Sequence, residues 1–177
     1  SAAGDIDLFG WSTATTSYGI SASKTDNDYS GNFKDWGAAI DFTGSWRTLS
    51  EDEWAYLFNT RSNASSLYKC EVTVCGKTNC VVIAPDNWNT SAKPLQSSYD
   101  ASEWASAEGD GLVCLPAAGN RDGSEVDNVN ATGQYWSSSA YDESFAYSVY
   151  FYKDAFHNDD IAYRHFGACV RLVTDVK

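Results

Sequence analysis

Hydrophobic residues recur at helical spacing in the first third of the chain. Trp54 and Phe58 stand four positions apart, with another apolar residue three positions after the first, so they form one stripe of an amphipathic helix. Ser50 followed by Glu53 matches the capping box that begins many helices. The pattern predicts a helix that starts after Ser50 and ends near Arg61.

Short apolar runs bounded by turn residues predict strands in the middle of the chain. Residues 71–74 and 77–83 are predicted to form a β-hairpin, because Gly76 supplies the positive φ that a two-residue turn needs. A second, weaker helix is expected over about 100–108, and residues 111–116 predict a short buried strand. Helices and strands in this arrangement indicate an α+β fold.

The last quarter of the chain is rich in predicted strands. Residues 146–153 alternate as a strand with one face on the core does, which predicts that Val149 and Phe151 are buried. A loop is expected at about 154–160, and a terminal strand over 167–173. The outward side of the alternating strand is expected to carry Ser148, Tyr150 and Tyr152.

The opening of the chain, up to about residue 41, is rich in Ser, Thr, Gly, Asn and Asp with isolated aromatic residues. This pattern predicts a long loop pinned to the core. Disorder is the alternative, which the Trp and Phe residues of the segment argue against. Because neither a repeat nor a linker divides the sequence, we expect residues 1–177 to form a single domain.

Aromatic content and charge change the picture most. The 7 Trp, 11 Tyr and 8 Phe indicate an irregular core, an aromatic contact surface, or both. A formal net charge of −12 repels phosphate backbones and anionic lipid, so we expect no nucleic-acid partner. No apolar run is long enough to span a bilayer, so we expect no direct membrane insertion. The charge favours solubility outside the cytoplasm.

Five cysteines leave at least one thiol unpaired within the chain. Cys70, Cys75 and Cys80 lack the paired C-x-x-C clusters of a zinc site. Cys114 and Cys169 lie in apolar runs, where a thiol acts as a small hydrophobic group. We expect mostly free structural thiols, with a Cys70–Cys80 bridge across the hairpin as the main alternative.

Four motifs in chain order resemble a known family. They are Leu8-Phe9-Gly10-Trp11; Trp46-Arg47-Thr48-Leu49 with Glu53-Trp54 and Arg61; Leu115-Pro116-Ala117-Ala118-Gly119; and Tyr135-Trp136-Ser137-Ser138 with Arg164, Gly167 and Val170-Arg171-Leu172. Together they resemble the Fibrobacter succinogenes major paralogous domain, a branch of the formylglycine-generating-enzyme type of C-type-lectin-like fold.

The resemblance implies a compact C-type-lectin-like domain with one or two helices and short twisted antiparallel strands. Trp46, Trp54, Trp136 and Arg171 are then expected to belong to the scaffold. Family members carry a further strand segment before the first motif, so we expect a natural N-terminal segment to be missing from this sequence, or to be dispensable.

The chain also resembles the subset of this fold that serves as the variable protein of diversity-generating retroelements, bacterial and phage systems that mutate adenines in a C-terminal cassette. Mutation of AAC-type codons cannot yield Glu, Lys, Gln, Met or Trp, and over residues 139–166 only Glu143 and Lys153 are unreachable. The resemblance implies a ligand-facing cassette at about 139–166. Its ligand-binding side chains are expected to be Ser139, Tyr141, Asp142, Ser148, Tyr150, Tyr152, Phe156, His157, Asn158, Tyr163, His165 and Phe166.

These observations predict a non-catalytic module that binds a protein, a cell-surface receptor or a glycan. The resemblance implies a location on a bacterial cell surface, outside the cell, or on a phage particle. The alternative is a fixed-specificity carbohydrate-binding or structural surface domain of a gut bacterium, in which Trp136 and the tyrosines stack on sugars.

Catalytic chemistry has little support in the sequence. The oxidase reaction of the parent enzyme fold needs reactive thiols, and no cysteine occurs between positions 135 and 166. His157 and His165 are not accompanied by a nucleophile-elbow motif. We expect no catalytic residue and no cofactor. A structural calcium ion is a minor alternative, held by Asp26 and Asp28 or by Asp122 and Asp127.

Overall fold

The structure is a computed structural model that describes Phe33, Asp35, Gly37, residues 46–153 and residues 155–174. Over these residues the protein has a mixed α+β fold, made mostly of strands with two short helices. The predicted opening loop, the first sequence motif, and Asp26 with Asp28 lie outside the described residues.

The described helices and strands follow one another in a simple order. They are β1 (Arg47–Thr48), α1 (Glu51–Ala55), β2 (Tyr68–Val74), β3 (Lys77–Ile83), β4 (Ser98–Tyr99), α2 (Ala101–Gly109), β5 (Val113–Leu115), β6 (Asn120–Asp122), β7 (Glu125–Asp127), β8 (Thr132–Ala140), β9 (Phe145–Tyr152), β10 (Ala155–Tyr163) and β11 (Leu172–Val173). A wider π-helical turn, Tyr56–Thr60, extends α1, and a 3₁₀ turn follows at Ala64–Ser66.

The predicted capping box at the start of α1 is confirmed. The Ser50 side chain accepts a hydrogen bond from the Glu53 N–H at 3.3 Å, and the Ser50 N–H donates to the Glu53 carboxylate at 2.9 Å. Arg47 donates to both oxygens of that carboxylate, at 2.6 and 2.5 Å, which lowers the pKa of Glu53. The helical segment ends at Arg61, as predicted.

The predicted hairpin is confirmed as β2 and β3. Cys75 and Gly76 both have positive φ, 49° and 79°, which suits the two-residue turn that matches strand twist. β5 pairs with β3 and β4 with β2, giving a four-stranded sheet in the order β4-β2-β3-β5. The second helix is confirmed as α2, and the strand predicted at 111–116 is confirmed as the shorter β5.

Strands β8, β9 and β10 form a separate three-stranded antiparallel sheet with β9 in the centre. The loop predicted at 154–160 is wrong, because nearly all of this segment belongs to β10. Its run Asn158-Asp159-Asp160 has the composition of a turn. The strand register shifts between His157 and Asp160, so a bulge takes up one extra residue while the strand stays paired with β9.

The terminal strand predicted at 167–173 is wrong for most of its length. Only β11 pairs regularly, and its partner is β1. Gly167 and Cys169 each form a single bridge, to Arg121 and Tyr135 respectively. The segment passes β6, β8 and β1 in turn, so no single neighbour can pair along its whole length.

The core beneath α1 joins the helical segment to the three-stranded sheet. Trp54 and Phe58 pack in one cluster with Val149 and Phe151 of β9, which confirms the predicted burial of these two β9 residues. Gly133 of β8 lies against the Phe151 ring so closely that a Cβ atom there would stand 2.1 Å from a ring carbon. This part of the sheet therefore has no room for a side chain at position 133.

Two of the four predicted scaffold side chains are buried. Trp54 and Trp136 are each 1% exposed, as predicted. Trp46 is 37% exposed and Arg171 is also exposed, so the scaffold prediction is wrong for these two. Both residues flank the two-stranded β1–β11 ribbon.

None of the five cysteines forms a disulfide, in agreement with the expected thiols. The alternative Cys70–Cys80 bridge is absent, because the two side chains pack in different clusters. Cys70 packs on the core beneath α1, whereas Cys80 is buried beside Val72 and Val82 against the α2 side. Burial raises the pKa of Cys70 to about 11, so this thiol stays protonated and unreactive near neutral pH.

Candidate functional site

The three-stranded sheet has two faces with different surroundings. Strand pairing places Gln134, Tyr150 and His157 side by side, and Trp136, Ser148 and Asp160 in the next row. We call this side the outer face and define it as Gln134, Trp136, Ala146, Ser148, Tyr150, Tyr152, His157, Asp160 and Ala162. The inner face carries Tyr135, Val149, Phe151 and Phe156 and packs against the α1 segment.

One end of the outer face is covered by the chain that follows β10 and by Phe33. The covering cluster consists of Trp136, Ala146, Ala162 and Ala168, with Phe33, Phe166 and Val170 packed against it. Ser148 lies next to this cluster and is 1% exposed. Its predicted outward position is therefore wrong, although it lies on the predicted face of β9. Phe166, also predicted to point outward, is half-buried because it packs against this cluster.

The other end of the outer face is open and carries three rings. The ring centroids of Tyr150 and Tyr152 are 5.7 Å apart, and His157 lies 6.5 and 6.4 Å from them. Tyr152 is 43% exposed and His157 is also exposed, as predicted. Tyr150 is half-buried, so its predicted exposure holds only in part. We call these three residues the tyrosine–histidine cluster.

A second group of rings lies at the far end of β10. The Phe145 and Tyr163 centroids are 4.4 Å apart, and His165 lies 5.1 Å from Tyr163 and 5.0 Å from Phe166. Tyr163 is 41% exposed, as predicted, but His165 is 7% exposed and its predicted outward position is wrong. The His165 Nε2 lies 3.8 Å from an Asp122 carboxylate oxygen, so the imidazole packs between rings and an acid.

Phe156 also departs from its predicted outward position. It pairs in register with Phe151 and therefore shares the inner face with it. Its ring centroid lies 4.5 Å from that of Phe58 and 5.3 Å from that of Tyr68. The error follows from the predicted loop: once β10 is a strand, Phe156 and His157 must point to opposite sides.

Ser139 and Asp142 have structural contacts within the predicted cassette. The Ser139 hydroxyl is half-buried and accepts a hydrogen bond from the Glu51 N–H at 3.0 Å, which ties β8 to the first residue of α1. An exposed Asp142 carboxylate oxygen accepts hydrogen bonds from the N–H groups of Ser144 and Phe145, both at 2.8 Å. This side chain shapes the turn between β8 and β9.

Tyr141 and Asn158 complete the predicted set. Tyr141 is 53% exposed in the β8–β9 turn, and its ring meets Tyr147 edge to face at 5.4 Å. Asn158 is half-buried within the β10 bulge. The structure thus brings Tyr150, Tyr152 and His157 together, groups Tyr163 with His165 and Phe166, and leaves Tyr141 in a separate turn.

A cavity of about 320 Å³ opens between the tyrosine–histidine cluster and the second ring group. Its polar lining comes from Asn120, Asn128, Gln134 and Asp160, and its aromatic lining from Phe145, Tyr150, Tyr163 and Phe166. Gln134 is 4% exposed, and its Oε1 atom accepts no hydrogen bond from the described residues. Burial raises the pKa of Asp160, and the charge of His157 acts in the opposite direction.

The sequence analysis named none of these four polar residues. Asn120 and Asn128 lie outside the predicted cassette, and Asp160 stood in a predicted loop. Gln134 did carry a signal: it is a long polar side chain immediately before the Tyr135-Trp136 motif, in a stretch that the structure buries. A polar residue in such a run calls for a partner.

Other features of the described residues set this site apart. A larger cavity of about 830 Å³ lies between α1, β3, β5 and β11, and no residue of 139–166 lines it. Within the described ranges, no three His, Cys, Asp or Glu side chains are grouped to hold a metal ion. No helix in that part of the chain is long and apolar enough to cross a membrane.

No family model, curated protein or solved structure matches the chain.

Proposed function

We propose that the protein is a non-catalytic binding module with a C-type-lectin-like fold, which contacts a protein or another cell-surface structure through the open end of the outer face. The separation of roles along β9 and β10 carries the proposal. Tyr152 and His157 are exposed on strands whose opposite side, Phe151 and Phe156, packs on the core. Such a surface can change its side chains while the packing that holds the strands stays the same.

The exposed side chains have the chemistry of recognition surfaces. Tyr141, Tyr152 and Tyr163 are 53%, 43% and 41% exposed. Tyrosine gives large, stiff contact area at low entropic cost, while Asp, Asn and His give adaptable hydrogen bonds, the mixture used by antibody loops. Tyr152 belongs to the tyrosine–histidine cluster, Tyr163 to the second ring group, and Tyr141 to the β8–β9 turn.

The proposal extends to the origin of this surface: residues 139–166 are a cassette rewritten by a diversity-generating retroelement. The exposed aromatic and histidine positions Tyr141, Tyr152, His157 and Tyr163 all have side chains reachable by adenine mutation, whereas the exposed Glu143 and Lys153 do not. The cassette lacks cysteine, so the oxidase chemistry of the parent enzyme fold has no thiol to use there.

The DNA around the coding region tests this origin. We expect a second, near-identical copy of the segment encoding residues 139–166, differing at adenines, beside a gene for a reverse transcriptase. The differences should fall in the codons for Tyr141, Tyr152, His157 and Tyr163, and should spare those for Val149 and Phe151. A genome with neither the copy nor the reverse transcriptase contradicts diversification and leaves a surface of fixed specificity.

A fixed-specificity carbohydrate-binding or structural surface domain is the second candidate. One observation favours the sugar-binding form: the Tyr150 ring lines a cavity together with Asn120, Asn128 and Gln134, and the Tyr152 ring lies 5.7 Å from it. Aromatic faces and side-chain amides together suit sugars. A glycan array distinguishes the candidates, since sugar binding that is lost in Tyr152→Ala supports this one, and absence of sugar binding supports protein recognition.

A further inference from the structure

We infer that the 320 Å³ cavity on the outer face binds a guanidinium group, presented by the partner as an arginine side chain. The inference rests on the proposed function, because the cavity adjoins the same open end. It makes the partner's chemistry specific: a planar cation enters the cavity while the exposed tyrosines contact the surface around it.

The polar lining of the cavity is suited to a guest that donates hydrogen bonds. Among the described residues, Asp160 is the only charged one in the lining, and no Lys or Arg nitrogen of that part of the chain lies within 4 Å of its carboxylate. The buried Oε1 atom of Gln134 accepts no hydrogen bond from the described residues. A buried acceptor without a donor is costly, and a guanidinium supplies five N–H donors from one rigid plane.

The aromatic lining favours a flat cation over a compact one. Tyr150, Tyr163 and Phe166 all line the cavity, and the ring centroids of Tyr163 and Phe166 are 5.7 Å apart. A guanidinium stacks on aromatic faces and pairs with a carboxylate through two parallel hydrogen bonds, whereas an ammonium is a strongly hydrated point charge. A sugar would supply hydrogen-bond donors but no positive charge to pair with the Asp160 carboxylate.

The electrostatics of the free protein point the same way. Burial raises the pKa of Asp160, so the ionised carboxylate is destabilised in the empty cavity, and a bound cation would relieve this cost. The charge of His157 and hydrogen bonds from the Ile161 N–H and the Ser148 side chain lower this pKa in part, and the like charge of Asp159 raises it. The formal net charge of −12 attracts basic partners over longer distances.

A titration of the ¹⁵N-labelled 177-residue chain with N-acetyl-arginine amide tests the inference directly. We expect saturable chemical-shift changes at the Gln134 side-chain amide and at the backbone of Tyr150 and Asp160. The citrulline amide, which has nearly the same shape without the charge, should leave these signals unmoved, and the lysine amide should bind more weakly. Equal binding of the citrulline and arginine amides would overturn the assignment.

Two neighbouring acids provide a matched pair of variants. Asp160→Asn removes the charge that lines the cavity and should weaken binding of the arginine amide about ten- to a hundredfold. Asp159→Asn removes the same charge from an exposed neighbour that does not line the cavity, and should leave Kd nearly unchanged. Equal Kd values for the two variants would contradict the inference.

Two further measurements distinguish a guanidinium from other ligands of the cavity. Gln134→Met keeps the length of the side chain but removes the free acceptor, and should weaken arginine-amide binding severalfold while Asp160 stays in place. Methyl galactoside should not shift the cavity signals; shifts with the sugar and none with the arginine amide would overturn the inference in favour of a glycan site. Such a failure leaves the retroelement origin standing, because that is read from DNA.

Discussion

The inner and outer faces of the three-stranded sheet share the same strands and differ in what they pack against. On the inner face, Val149 and Phe151 are 0% and 2% exposed beneath the α1 segment. On the outer face, exposure rises from Ser148 at 1% to Tyr152 at 43% over four residues. Backbone pairing is common to both faces, so the difference comes from the neighbours that cover each one.

Because of this difference, the two faces of the sheet have different roles. The inner face is held by close packing, which the lack of room for a side chain at Gly133 makes plain. The open end of the outer face adds contact area without adding to the core. Side chains there can serve a ligand, while those at the covered end, such as Ala146, serve the fold. Adjacent residues on one strand therefore make the sharpest tests.

The largest effect is expected at Phe151. Phe151→Ala should lower the free energy of unfolding by about 3–5 kcal/mol, because a large buried side chain leaves a cavity behind. Tyr152→Ala, one residue further on the opposite face, should cost less than about 0.5 kcal/mol. Urea denaturation of the two variants provides the comparison, and equal losses would show that both faces are core.

A smaller contrast is expected at the start of β10. Phe156→Ala should lower the free energy of unfolding by on the order of 2 kcal/mol, because the half-buried ring packs against Phe58 and Phe151. His157→Ala should change it by less than about 0.5 kcal/mol. If thermal unfolding ranks the two variants the other way, β10 does not have the alternation described above.

The smallest effect is expected at Asp160, and it depends on pH. Because the pKa of the folded state is raised, the native protein binds the proton more tightly than the unfolded chain does. This contribution to stability is present at low pH and is lost as pH rises through the folded-state pKa. Asp160→Asn mimics the protonated form, so it should raise Tm slightly at pH 7 and lose that advantage below the ordinary carboxyl pKa of 3.8.

Asp159→Asn serves as the control for this pH dependence. It removes the same charge from an exposed side chain, so its effect on Tm should be smaller and should change little with pH. A drop in Tm for Asp160→Asn at pH 7 would mean that the carboxylate's hydrogen bonds with Ile161 and Ser148, together with the charge of His157, outweigh the cost of burial.

Local signals in the sequence predicted the first half of the described fold well. The capping box at Ser50 and the two-residue turn at Gly76 each depend on a few neighbouring residues, and both are present. The alternation of Val149 and Phe151 with tyrosines likewise gave the correct phase of β9. These features need only short-range chemistry, so the sequence carries them directly.

The errors arose where distant chain segments decide the outcome. The polar composition around Asn158 indicated a loop, but pairing with β9 and a bulge keep that segment in a strand. Ser148 and His165 lie beneath or against chain segments far from them in sequence, which strand alternation cannot reveal. The cavity around Gln134 and Asp160 combines residues from β6 to β10 and the segments that follow, and no local pattern predicts such a meeting.

The most direct test of the account is a saturation library over residues 139–166, scored for folding by resistance to proteolysis. The account predicts broad tolerance at the exposed positions Tyr141, Tyr152, His157 and Tyr163. It predicts strong loss of folded protein at Ala146, Val149, Phe151 and Phe156. If substitutions at the exposed positions reduce the amount of folded protein as strongly as those at the packed positions, the outer face cannot change its side chains without loss of folding. The proposed binding surface is then contradicted.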